Sequence, residues 1–111
     1  MKRGEIYFAS LDPTQGGEVQ KARPVVVVSN NAANRAAAVV TVVPLTSSTE
    51  RVYPFEVLLP RERTGLTKDS KAMAQQVRTL DKSRLKAHAA GALTPEDGLK
   101  LDAALRLHLA L

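Results

Sequence analysis

Two runs of β-branched residues constrain this chain more than anything else in it. "PVVVVS", Pro24 to Ser29, and "VVTVVPL", Val39 to Leu45, carry almost no polar side chain. They are too short for a stable isolated helix, and valine gives up little when it extends. A strand with apolar residues at consecutive positions is buried on both faces. The two runs therefore predict adjacent strands at the centre of a small sheet. Each carries a proline, Pro24 at the start of one run and Pro44 near the end of the other. Proline is tolerated at the first residue of a strand, and it holds the residue before it extended. Arg23 is thus predicted to stand extended at the mouth of a rigid buried strand.

The rest of the chain arranges itself around that centre. "EIYFASL", Glu5 to Leu11, alternates, with Ile6, Phe8 and Ser10 on one face and Tyr7 and Ala9 on the other, which predicts a strand. "DPTQGGE", Asp12 to Glu18, is dense in turn residues and reads as a loop. "AANRAAA" allows one helical turn. "YPFEVLL", Tyr53 to Leu59, reads as a third buried strand, and "PRERTGLTKDS" as a charged loop. "KAMAQQVRTL", Lys71 to Leu80, alternates Met73, Gln75 and Val77 with Ala72, Ala74 and Gln76, which favours a continuous strand. The period changes near the end. Thr94 as N-cap, Pro95 at the first helical position and Asp97 three residues after the cap predict a helix start. Leu101, Ala104, Leu105, His108 and Leu109 are expected to form its inward face, with apolar surface left over for a second subunit. Short strands and one terminal helix predict a single domain over residues 1–111. It is mainly β with helices, a small antiparallel barrel with a C-terminal α-helix.

The chain's 111 residues suit one modest core. Aromatics make up 4% and tryptophan is absent, so that core is expected to be aliphatic. There is no cysteine, which excludes disulfide and thiolate chemistry. No run approaches membrane-spanning length, and a soluble, cytoplasmic protein is expected. Sixteen Lys and Arg against eleven Asp and Glu give a net charge of +5, which favours polyanionic or acidic partners. Eight of those cations fall between Arg61 and Lys86, against three acids, enough to line a groove for a phosphate backbone. His88 and His108 stand in unlike contexts, and no His, Asp and Glu cluster has metal-ligand spacing. No metal or other cofactor is expected.

The planar fork of Arg23 beside a glycine-softened loop suits phosphate oxygens, though an arginine paired with Glu18 at a strand end satisfies the same residues. "TSST", Thr46 to Thr49, offers hydroxyls just past a proline, as a phosphate contact or as an ordinary polar turn.

"RGEIYFASLDPTQGGEVQKARPVVVVS", "VVPLTSS" and "QQVRTLDKSRL", in that order, resemble the MazF/PemK family of toxin endoribonucleases. The N-terminal block is the most specific part, with Arg-Gly-acid-Ile, Leu-Asp-Pro, Gly-x-Glu and Arg-Pro before a valine-rich strand. The resemblance implies an SH3-like barrel, a homodimer, and metal-independent, sequence-selective cleavage of single-stranded messenger RNA. It also implies an acidic cognate antitoxin that wraps the toxin and blocks its RNA groove. The family's essential arginine falls on Arg23, its threonine on Thr46, and the glutamate of the preceding loop on Glu18. RNA contacts are expected from Gln15, Gly17, Gln20 and Lys21 of the loop, and from Ser47, Ser70, Gln75, Gln76 and Arg78. Two rivals are a gyrase poison on the same fold and a non-catalytic basic barrel that binds RNA. The gyrase poisons act through a C-terminal motif that includes a tryptophan, whereas this chain ends "LRLHLAL".

Overall fold

The computed structural model describes residues 1–11 and 22–111. The expected loop, with Glu18, Gln15, Gly17, Gln20 and Lys21, lies outside the described residues.

The chain is mostly β, a curled antiparallel half-barrel with a C-terminal helix. Strands β1 (Glu5–Ser10), β2 (Ala22–Val27) and β3 (Val39–Thr46) form its centre. Around them stand β4 (Glu56–Leu59), β5 (Ser70–Met73), β6 (Arg78–Asp81) and the short β7 (Gly91–Ala92). The sheet order is β4-β5-β3-β2-β1-β7, with β6 also paired to β3. Helices α1 (Asn31–Ala36), α2 (Arg61–Thr64) and α3 (Pro95–Leu109) complete the chain.

The two valine runs are covered on both sides, as their composition requires. On one face Val26, Val43 and Leu45 join Ile6, Leu59, Leu101 and Ala104. On the other, Val25, Val27, Val40 and Val42 join Tyr7, Ala9, Leu80 and Leu85. The curl is closed locally beyond β6, where Leu85 bridges Ala9 and the Lys86 amide donates to the Phe8 carbonyl at 2.9 Å.

The prolines decide where the ladders stop. Val28 N donates to Thr41 O at 2.9 Å, so by alternation Val26 and Pro24 also turn their backbone groups toward β3. Pro24 has no N–H, and the β2–β3 ladder ends at Val25 opposite Pro44. Pro44 turns the opposite way, toward the β5–β6 edge, and there too the ladder breaks. Residues 39–42 of β3 pair with β6, and Leu45 and Thr46 pair with β5. Between them Ala74–Gln76 form a 3-10 turn, and pairing resumes three residues out of step. The continuous strand expected over Lys71 to Leu80 is therefore two strands joined by a turn.

Other expectations are adjusted. The strand expected from Tyr53 begins at Glu56; Tyr53 and Phe55 stack on each other before it, with ring centroids 5.3 Å apart. The charged loop after Leu59 contains the helical turn α2. Helix α3 starts as expected, with Thr94 Oγ1 accepting from the Asp97 amide at 3.1 Å. Its inward face is shifted, however. Asp97, Leu101 and Ala104 are buried and Leu105 is half-buried, while His108 and Leu109 are exposed. Asp97 is buried because it receives Arg63 in a two-pronged contact, at 2.9 and 3.2 Å. That pair ties α2 to the start of α3.

Candidate active site

Arg23 is exposed on β2, and Thr46 is half-buried as the last residue of β3. Continuing the β2–β3 register two residues past Val25–Pro44 sets these two opposite each other. Alternation puts both on the face of Val25 and Val42. They stand just past the last β2–β3 pair, where the ladder has ended.

Two cavities meet at this pair, and both residues line both of them. The larger, about 500 Å³, runs to Phe8, Ser47, Leu66, Thr67, Lys68 and Ser70. The smaller, about 240 Å³, runs to Leu11, Met73, Gln76 and Arg78. Arg23 and Thr46 thus form a lip between two openings. The Thr46 Oγ1 accepts from the Ser48 amide at 3.2 Å, a turn that orients the hydroxyl and leaves its proton available. Ser70 is buried, and its hydroxyl reaches the Lys68 carbonyl at 3.4 Å. Among the described residues, Arg23, Lys68 and Arg78 have no carboxylate partner.

Of the residues expected to bind RNA, Ser47 and Ser70 line the larger cavity and Gln76 and Arg78 the smaller. Gln75 lines neither. Its amide donates to Glu56 Oε2 at 2.7 Å, while Lys71 Nζ donates to Glu56 Oε1 at 2.9 Å. Burial alone raises the Glu56 carboxyl. Hydrogen bonds from Gln75, the Tyr53 amide and Lys71, with the Lys71 charge, outweigh it and hold the carboxyl below its ordinary value. The expected basic stretch is also less uniform than its composition suggests. Arg63 and Lys71 are bound to Asp97 and Glu56, whereas Lys68 and Arg78 face the cavities.

Phe8 and the Gly65–Lys68 wall were not expected at the site. The wall is positioned by a backbone contact that no local pattern signals. Gly65 takes φ 84°, which favours glycine, and Gly91 packs against Thr64 so closely that a Cβ would stand 2.2 Å from its carbonyl oxygen. Among the described residues, no three His, Asp or Glu stand together in a metal-holding arrangement.

Arg23 and Thr46 are the positions on which the resemblance to the toxin family named above places its essential arginine and threonine. The model of the PemK-like, MazF-like toxins of type II toxin–antitoxin systems matches residues 2–109. The chain belongs to this toxin family. It is similar to the endoribonuclease MazF9 of Mycobacterium tuberculosis, 47% identical over 116 residues, covering 100% of this chain and 98% of the relative. It is 37% identical to the endoribonuclease EndoA of Bacillus subtilis, covering 100% of this chain and 96% of the relative. Among solved structures, a mycobacterial endoribonuclease in complex with its cognate antitoxin superposes with a TM-score of 0.80 at 34% identity. That match covers 100% of this chain and 96% of the other. No described helix of this MazF-like toxin is long and apolar enough to cross a membrane.

Proposed function

We propose that this toxin is a metal-independent endoribonuclease that cuts single-stranded messenger RNA by attack of a ribose 2′-hydroxyl on the adjacent phosphate. The observation that carries the reading is the placement of Arg23 and Thr46 opposite each other at the lip between two cavities. In the reaction the 2′-oxygen bonds to phosphorus and its proton leaves to a base. The bond to the 5′-oxygen breaks, and that oxygen takes a proton. The products are a 2′,3′-cyclic phosphate and a 5′-hydroxyl. Arg23 stabilises the charge that builds on the non-bridging oxygens, where a fixed cation is most effective. Thr46, its oxygen engaged by the Ser48 amide, donates its proton to a phosphate oxygen. The identity of the base is left to experiment, with Glu18 the first residue to test. Ser47, Ser70, Gln76 and Arg78 contact the flanking nucleotides. Gln75 contributes through Glu56, by holding the turn that presents Gln76.

The mycobacterial relative's antitoxin complex and the net charge of +5 support an acidic antitoxin as the natural partner. It blocks the RNA groove. The exposed Leu99, Leu107, Leu109 and Leu111 support a homodimer in which a second copy covers part of this surface. The cytoplasm, where messenger RNA is translated, is the matching compartment.

Purified protein incubated with several single-stranded RNAs in EDTA is expected to cut them at defined sequences and leave 2′,3′-cyclic phosphate ends. Intact RNA at high protein concentration, or 3′-hydroxyl ends, overturns the mechanism.

A further inference from the structure

We propose that Phe8 is a base-stacking platform: the nucleobase next to the cleaved phosphate lies on its ring inside the larger cavity. The inference rests on the ribonuclease reading and names a subsite of the same site.

The argument begins with one sheet face. Ile6, Val26 and Val43 form a cross-strand row, each fully buried, under the cover that includes Leu101 and Ala104 of α3. The next row on that face is Phe8, Pro24 and, by continuation of the register, Leu45. Here the cover thins toward β1: Leu45 is still buried and Pro24 half-buried, while Phe8 is open. Phe8 is 38% exposed although β1 and β2 remain paired beneath it. An exposed apolar side chain is commonplace on a surface, but this one lines a cavity that also holds Arg23 and Thr46. Leu66 stands on the cavity wall and Thr67, Lys68 and Ser70 supply polar groups. The chemistry matches a group with apolar faces and hydrogen-bonding edges, attached to an anion that Arg23 receives. A nucleobase in single-stranded RNA is such a group, and aromatic rings are its usual platform. The other aromatics are committed elsewhere. Tyr7 is buried on the opposite face, and Tyr53 and Phe55 stack on each other beside β4. Stacking on Phe8 also answers the scarcity of aromatics in the chain, because one ring at the right place suffices.

The chain lacks tryptophan, so Phe8→Trp adds a single fluorescent reporter. The probe is an RNA oligonucleotide spanning a mapped cut site, with a 2′-deoxy sugar at the attacking nucleotide so that it binds without being cleaved. Its addition is expected to quench the fluorescence of Phe8→Trp with saturation. Phe8→Leu is expected to weaken binding roughly five- to a hundred-fold, the range of one base–aromatic stack. Removing the base at the flanking position is expected to erase the difference between Phe8→Leu and the unsubstituted protein. If Phe8→Leu does not fold, the quenching of Phe8→Trp and its loss on the abasic probe decide the matter. Unquenched fluorescence, or a folded Phe8→Leu that binds within twofold of the unsubstituted protein, overturns the platform while leaving the ribonuclease reading in place. Failure of the unsubstituted protein to cut any RNA overturns both.

Discussion

At the scale of single residues, the proposed chemistry gives Arg23 and Thr46 different jobs at one phosphate. Arg23→Ala is expected to lower the cleavage rate at least about a hundred-fold, as loss of one donor to developing charge does elsewhere. Because Arg23 is exposed and has no carboxylate partner among the described residues, its loss is expected to leave the thermal midpoint unchanged. Arg23→Lys keeps the charge but not the fork, and is expected to recover only part of the rate. Thr46→Val keeps the shape and removes the hydroxyl, so its rate falls, while Thr46→Ser restores it. Single-turnover cleavage of one mapped substrate, with melting curves of each variant, checks all four. Arg23 stood out in the chain because it precedes a proline and a valine run, a local signal, whereas Thr46 read equally as part of a polar turn and was singled out by the family resemblance. Phe8 was legible only as an inward position of a strand. Its exposure follows from where the cover ends, a fact about residues a hundred positions away.

At the scale of elements, the segment from Ser70 to Asp81 is the informative one. Its alternation favours one strand, and both halves are indeed strands. The turn between them answers to Pro44 on the facing strand, whose missing amide removes a ladder bond there. A pattern read along one segment cannot register a proline in its neighbour. The turn is tied down by Glu56, which holds both Lys71 and Gln75. Glu56→Gln leaves the Lys71 ammonium buried without its counter-charge, and is expected to destabilise the protein by about 3 kcal/mol at neutral pH. The pH dependence has a definite sign. The Glu56 carboxyl lies below its ordinary 4.5, so its contribution is complete above that value and is lost as pH falls through the folded one. The stability gap between the two proteins, measured by urea unfolding, is therefore expected to narrow below about pH 4.5. On the other wall, Gly91→Ala forces a Cβ against the Thr64 carbonyl and is expected to shift Gly65–Ser70, lowering RNA affinity together with stability.

At the scale of the whole molecule, the proposed reaction makes RNA affinity a matter of charge. Among the described residues, Arg23, Lys68 and Arg78 are the cations that line the two cavities. Three phosphate contacts to a single strand give a slope of about −2 for log affinity against log salt, and Arg78→Ala is expected to reduce it by about 0.7. Fluorescence anisotropy of a labelled 2′-deoxy-blocked oligonucleotide across a salt series measures both. The broad outcome, a half-barrel with a terminal helix, was legible because it follows from period, length and proline placement. Which cations line the two cavities was not. Arg63 and Lys71 look like their neighbours in the chain, and only the folded arrangement joins them to Asp97 and Glu56.

The opening at Arg23 is maintained by a covalent fact. Pro24 carries no amide hydrogen, so the β2–β3 ladder lacks a donor at its next rung, whatever the acidity, salt or temperature. The end of the ladder is thus written into the chain itself and does not depend on a bound ligand. Pro24→Ala supplies the missing hydrogen and is expected to slow cleavage while making the protein harder to melt, the two effects rising from the same new bond.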